Sequence, residues 1–157
     1  MNKVKSLLLL VCIAGFFVAC KKNKPVDVEA QFTADTLAIS KYIKANNIPA
    51  IKHESGIFYQ IIAAGSGSVK YTTATQVTAD YQGKIMGGNV FDDSKGTPIT
   101  FTLGQVIQGW NIGIPLIQKG GQIRLFIPSY YGYGTRDMGA IAPNSILDFN
   151  IKLTDVK

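Results

Sequence analysis

The stretch Ala79-Asp-Tyr-Gln-Gly-Lys-Ile-Met-Gly-Gly-Asn-Val-Phe-Asp-Asp93, followed by Leu103-Gly-Gln-Val-Ile-Gln-Gly-Trp110, decides the fold. Gln76 to Ile85 alternates in character from residue to residue, the signature of a strand with one buried face, and Gly87-Gly-Asn89 marks a loop tip after it. The same stretch sets Tyr81, Phe91, Asp92, Val106, Ile107 and Trp110 close together, with glycine turns between them. Aromatic and aliphatic side chains with a few polar groups suit an apolar pocket. No nucleophile, metal cluster or phosphate loop accompanies them. Asp80, Asp92 and Asp93 lack calcium-loop spacing, and paired carboxylates for glycoside hydrolysis are unconvincing.

Working outward, the chain reads as β structure punctuated by turns. Gly56 to Ile62, Ile99 to Leu103, Gln122 to Ile127 and Leu147 to Leu153 are further strands, and Gly65-Ser-Gly-Ser68 is a turn. Trp110 to Ile117 suits a brief buried helix, although Pro115 would cost about 3 kcal/mol in a true helix interior. Residues 128–145 form a long glycine-rich segment, of a length that is usually functional or disordered. Upstream, Phe32, Leu37, Ile39, Tyr42 and Ile43 recur at roughly helical spacing between Glu29 and Asn47. Thr33 or Asp35 could cap this helix, and Asn46-Asn47 before Pro49 would end it. Its role is packing against the β-rich part, with self-association or spacing as the alternative.

Composition bounds the function. The 157 residues carry one histidine, His53, which disfavours histidine-based hydrolysis and most zinc sites. Neither a metal nor a cofactor is expected. The net charge of +6 is spread over scattered lysines and arginines, so no nucleic-acid face is expected.

The N-terminus reads as a targeting segment. Lys3 and Lys5 precede Leu7 to Ala19, an uncharged and largely apolar run too short for a comfortable membrane span but suited to a secretory signal. It ends at Phe17-Val-Ala-Cys20, which resembles the lipobox of bacterial lipoproteins, with Phe17 where leucine is usual. On this reading residues 1–19 are removed and Cys20 is acylated. Residues 20–28 are then a lipidated tether whose lysines Lys21, Lys22 and Lys24 could touch anionic headgroups. Ordinary secretory cleavage, with Cys20 a bystander, is the alternative. With Cys12 lost and Cys20 acylated, no thiol remains for a disulfide.

Together with Tyr130-Tyr-Gly-Tyr-Gly134 and Ile141-Ala-Pro143, the opening motifs resemble those of the FKBP-type peptidyl-prolyl cis-trans isomerases. The resemblance covers about Gln76 to Val156, with weaker support back to Gly56. It implies an α+β fold, an antiparallel β-sheet wrapped around a short α-helix. Residues 29–50 would be an N-terminal helical extension and 51–157 the isomerase domain. It further implies a pocket with Trp110 as floor, Tyr81, Phe91, Val106, Ile107 and Phe149 as walls, and Asp92 as the acidic lining residue. Tyr133 would reach the bound carbonyl through its hydroxyl, the Ile107 amide would be a backbone donor, and Ile141 would cover the site. Ile99 stands on one wall where eukaryotic members commonly have phenylalanine, and Ala142 replaces a frequent proline.

Taken singly, Trp110, Phe91 and Phe149 read as core aromatics; their joint order and spacing point to a site. The implied partners are proline-containing unfolded or exported proteins, a membrane reached through the lipid anchor, and macrolide inhibitors. The implied location is an outer membrane, facing the periplasm. A client-binding, chaperone-like lipoprotein with little turnover is the alternative function.

Overall fold

The computed structural model describes residues 27–157. The proposed signal segment, Cys20 and most of the tether lie outside the described residues.

The seven strands are β1 (Ile51–Lys52), β2 (Phe58–Ala63), β3 (Gln76–Ile85), β4 (Val90–Asp93), β5 (Ile99–Thr102), β6 (Gln122–Ile127) and β7 (Leu147–Val156). They form one antiparallel sheet in the order β1-β2-β6-β7-β3-β4, with β5 also paired to β3. β4 and β5 lie end to end along the same edge of β3, pairing with Gln82–Lys84 and Gln76–Ala79 respectively. At the break between them Ser94 takes over the ladder: its amide donates to the Tyr81 carbonyl (3.0 Å), and its Oγ accepts from the Tyr81 amide (2.8 Å). Tyr81 is therefore bridged on this edge although neither β4 nor β5 places a residue opposite it; on its other side it pairs with Ile151 of β7.

Period-2 alternation gives the sheet two distinct faces. Val77, Ala79 and Tyr81 of β3 join Leu125 and Ile127 of β6 and Phe149, Ile151 and Leu153 of β7 in one buried cluster. Against it packs α2 (Gln108–Gly113), which carries Trp110. Each large side chain buried there contributes about 1.5–3 kcal/mol of transfer free energy. Pro115 is accommodated because the helix ends before it. It falls in the first turn of a 3₁₀ segment (Ile114–Leu116), where no intrahelical donor is lost. Two glycines bring α2 close to β6: a methyl built on Gly109 would stand 2.5 Å from Ile127 Cγ2, and one on Gly113 2.5 Å from Leu125 Cδ1.

The other face receives α1 (Val28–Ala45), whose Ile39 and Ile43 meet Phe58 and Phe126. Its N-cap is Asp27, with the carboxylate accepting from the Ala30 amide at 3.0 Å, rather than Thr33 or Asp35. Leu37 is exposed instead of joining the apolar stripe, because it lies half a turn from Ile39; Asp35 occupies the buried stripe in its place. Beside α1, the fully buried Asp148 accepts two hydrogen bonds from Arg124 (2.9 and 2.8 Å), with Lys84 Nζ at 3.4 Å. Burial of this carboxylate is thus matched by cations and donors. Smaller differences from the sequence reading lie at element ends. β2 begins at Phe58, Leu103 opens a 3₁₀ turn, and β7 runs on to Val156 because β3 pairs with it throughout.

Candidate active site

Between α2, β3 to β5 and the loop after β6 lies a cavity of about 600 Å³. Its floor is aromatic. Trp110 is buried at the third position of α2 and meets Tyr81 (ring centroids 5.3 Å), Phe149 (5.4 Å) and Phe101 (5.5 Å), each nearly edge-on. Phe91 closes the cluster against Phe149 at 5.6 Å. Edge-to-face pairs of this kind add about 0.5–1.5 kcal/mol each beyond area burial, so each ring of the floor supports its neighbours. Among the described residues, the Trp110 indole N–H is the single buried side-chain polar atom without a hydrogen bond.

Two polar groups of the lining are held together by a direct hydrogen bond. Asp92 leaves β4 toward the cavity and accepts the Tyr81 hydroxyl at Oδ2 (2.7 Å) and the Asp93 amide at Oδ1 (2.9 Å). Burial, followed by the hydrogen bond to Asp92, pushes the Tyr81 phenol well above its ordinary range. The Tyr133 phenol is also pushed up, chiefly by burial and then by the charge of Asp92. Both hydroxyls consequently remain protonated donors at neutral pH. Ile107 is the N-cap of α2, in extended conformation, and its amide donates to no backbone carbonyl among the described residues. A buried or half-buried free amide at a helix start favours a carbonyl or anion.

The structure brings Tyr81, Phe91, Asp92, Val106, Ile107, Trp110, Tyr133 and Phe149 to the same cavity. Two expected residues fall elsewhere. Ile99 is 43% exposed and does not line the cavity; Phe101, next on the same face of β5, forms that wall. Ile141 is buried in the core cluster and does not line the cavity either. Sequence reasoning reads Phe101 as a packing residue and gives no site role to Gln105, Gln108, Tyr130, Gly132 or Arg136, all of which line the cavity. Strand alternation could have found Phe101, two residues beyond Ile99. Arg136 carried no signal, because its place depends on the fold of the loop. Its Nε donates to the Tyr133 carbonyl (3.1 Å), and its guanidinium lies 5.8 Å from the Tyr133 ring centroid.

An antiparallel sheet packed on the short helix α2, with an aromatic-floored cavity between them, is the architecture the described residues form. The model of the FKBP-type peptidyl-prolyl cis-trans isomerases matches residues 67–154, and the chain belongs to that family. FkpA from Buchnera aphidicola subsp. Schizaphis graminum, a peptidyl-prolyl isomerase of this type, is 43% identical over 108 residues, covering 68% of this chain and 43% of its own length. The crystal structure of FkpA from Escherichia coli superposes with a TM-score of 0.68 at 34% identity, covering 82% of this chain and 64% of that one. A peptidyl-prolyl isomerase structure from Pseudomonas syringae pv. tomato gives 0.67 at 28% identity, covering 85% of this chain and 98% of the other. The chain spans less than half the length of the curated relative described here.

Proposed function

We propose that the protein accelerates cis-trans isomerisation of Xaa-Pro bonds in unfolded or exported proteins. The observation that carries this reading is the Trp110 floor ringed by Tyr81, Phe101 and Phe149, with Asp92, Tyr133 and the Ile107 amide at its rim.

Rotation about a peptide bond faces a barrier of roughly 18–20 kcal/mol from amide resonance. For Xaa-Pro the two isomers are close in energy, yet exchange takes tens to hundreds of seconds. Catalysis requires only that the twisted amide be held better than either planar form. The twisted amide is less dipolar, so a water-poor aromatic cavity favours it. In this reading the proline ring rests on Trp110, and the walls of Tyr81, Phe91, Val106 and Phe149 exclude water. The Ile107 amide and the Tyr133 hydroxyl donate to flanking carbonyls, and Asp92 holds Tyr81 in place. The same pocket would accept macrolide inhibitors.

Processing before Cys20 and acylation of its thiol would anchor the protein to an outer membrane, facing the periplasm, where exported chains fold.

The test is cis-trans exchange of a short Xaa-Pro peptide, followed by NMR, with the purified full chain in mild detergent. Acceleration is expected, and it should fall at least about tenfold in Trp110→Ala and in Tyr133→Phe, each of which removes a group acting in the transition state. A folded protein without acceleration would overturn the isomerase reading in favour of a client-binding module.

A further inference from the structure

The loop that carries Tyr133 is held from outside the cavity. It begins with a 3₁₀ turn, Ser129–Tyr131, whose first residue is a junction. The Ser129 carbonyl accepts from the amides of Gly132 (3.0 Å) and Gly134 (2.8 Å), the two residues that flank Tyr133. The Ser129 amide and hydroxyl both donate to one oxygen of Asp35, at 2.8 and 2.6 Å. The other oxygen of Asp35 accepts from Gln31 Nε2 at 2.7 Å. Asp35 is only 3% exposed and Ser129 2%, so water offers neither a ready substitute. One turn earlier on α1, Phe32 meets the rings of Tyr130 (6.1 Å) and Tyr131 (5.7 Å) edge-on.

We infer that Asp35 is a positioning residue for the site: α1, lying outside the family's core motif, fixes Tyr133 through Ser129. The inference rests on the isomerase reading above. The physical reason is the placement of the bonds. A carboxylate that accepts both donors of Ser129 fixes that residue's position and orientation, and the Ser129 carbonyl then fixes the backbone on both sides of Tyr133. Charge-assisted bonds to a buried carboxylate are among the stronger hydrogen bonds available to a protein. A gain of this kind is orientational, since small misplacements of a group in the transition state lower rate steeply.

A double-mutant cycle with the full chain separates positioning from general damage. The peptide-exchange kcat/KM is measured for the parent protein, Asp35→Asn, Tyr133→Ala and the pair, with a circular dichroism melt to confirm that each is folded. Asp35→Asn should lower kcat/KM about tenfold in the parent background. In the Tyr133→Ala background it should cost less than about twofold, because the group it positions is gone. If Asp35→Asn does not fold, Ser129→Ala takes its place; it removes the hydroxyl and keeps the amide. Equal losses in both backgrounds would overturn the inference, as would no loss at all, or a Tyr133→Ala variant with full activity. An inactive but folded parent would instead overturn the isomerase reading, and the positioning role with it.

Discussion

Asp92 and Tyr81 form the tightest polar contact in the cavity, 2.7 Å from hydroxyl to carboxylate. The phenol is pushed above its usual value of 10.0 by burial first and by Asp92 second, and Tyr133 is pushed the same way. Removing the negative charge should therefore bring both phenols down, though burial would keep them above an exposed tyrosine. In Asp92→Asn the tyrosinate absorbance band should emerge at lower pH than in the parent, and an unchanged alkaline titration would contradict this account. The sign for stability follows from the same shift. Above pH 10 the unfolded chain releases these protons while the folded chain retains them, so stability declines as pH rises toward the folded values. Denaturant midpoints compared at pH 9 and pH 11 should fall, and fall less steeply in Tyr81→Phe.

At the scale of the elements, the position of α2 sets the depth of the cavity. Gly109 and Gly113 leave no room for even a methyl between that helix and Ile127 or Leu125, both fully buried. Gly109→Ala would force the helix away from β6 and move the adjacent Trp110. A cost of about 1–3 kcal/mol is expected from such overpacking, set against the modest helix preference of alanine. A lower urea midpoint with a red-shifted Trp110 emission would bear this out; an unchanged midpoint would show that β6 yields. Much of this arrangement was legible beforehand. The alternation of β3 marked its inward face, and glycine spacing marked the turns and the helix around Trp110. What could not be read was whatever depended on distant partners. Asp35 looked like a local cap because capping is a short-range pattern, whereas two of its three donors lie on Ser129, 94 residues away. The resemblance alone puts Ile99 on a wall, and Phe101 reads as a packing residue. Which of these two residues on one face of β5 meets the cavity depends on how β5 sits against β3 and α2, with Val77 opposite Phe101. Arg136 came to the cavity through the fold of a loop that has no periodicity to read.

For the whole molecule, the proposed anchor at Cys20 places the described residues only a short stretch of chain from a membrane surface. On that proposal the processed protein carries the lipid. Its mass should exceed that of a chain beginning at Cys20 by that of the acylglyceryl group, and Cys20→Ser should shift it from the membrane fraction to the soluble one. A Cys20→Ser protein that still sediments with membranes would contradict the anchor. The sheet order has a further consequence, for timing. β7 lies between β6 and β3 and pairs with both along most of its length, yet it is the last strand in the chain. Until Leu147–Val156 has left the ribosome, β3 and β6 have no shared partner and the face that receives Trp110 cannot close. Closure of the sheet is therefore deferred until β7 has been made, and its rate is governed by long-range pairing rather than by local helices. A chain whose sheet stays open until β7 emerges remains threadable through a translocation pore up to that point.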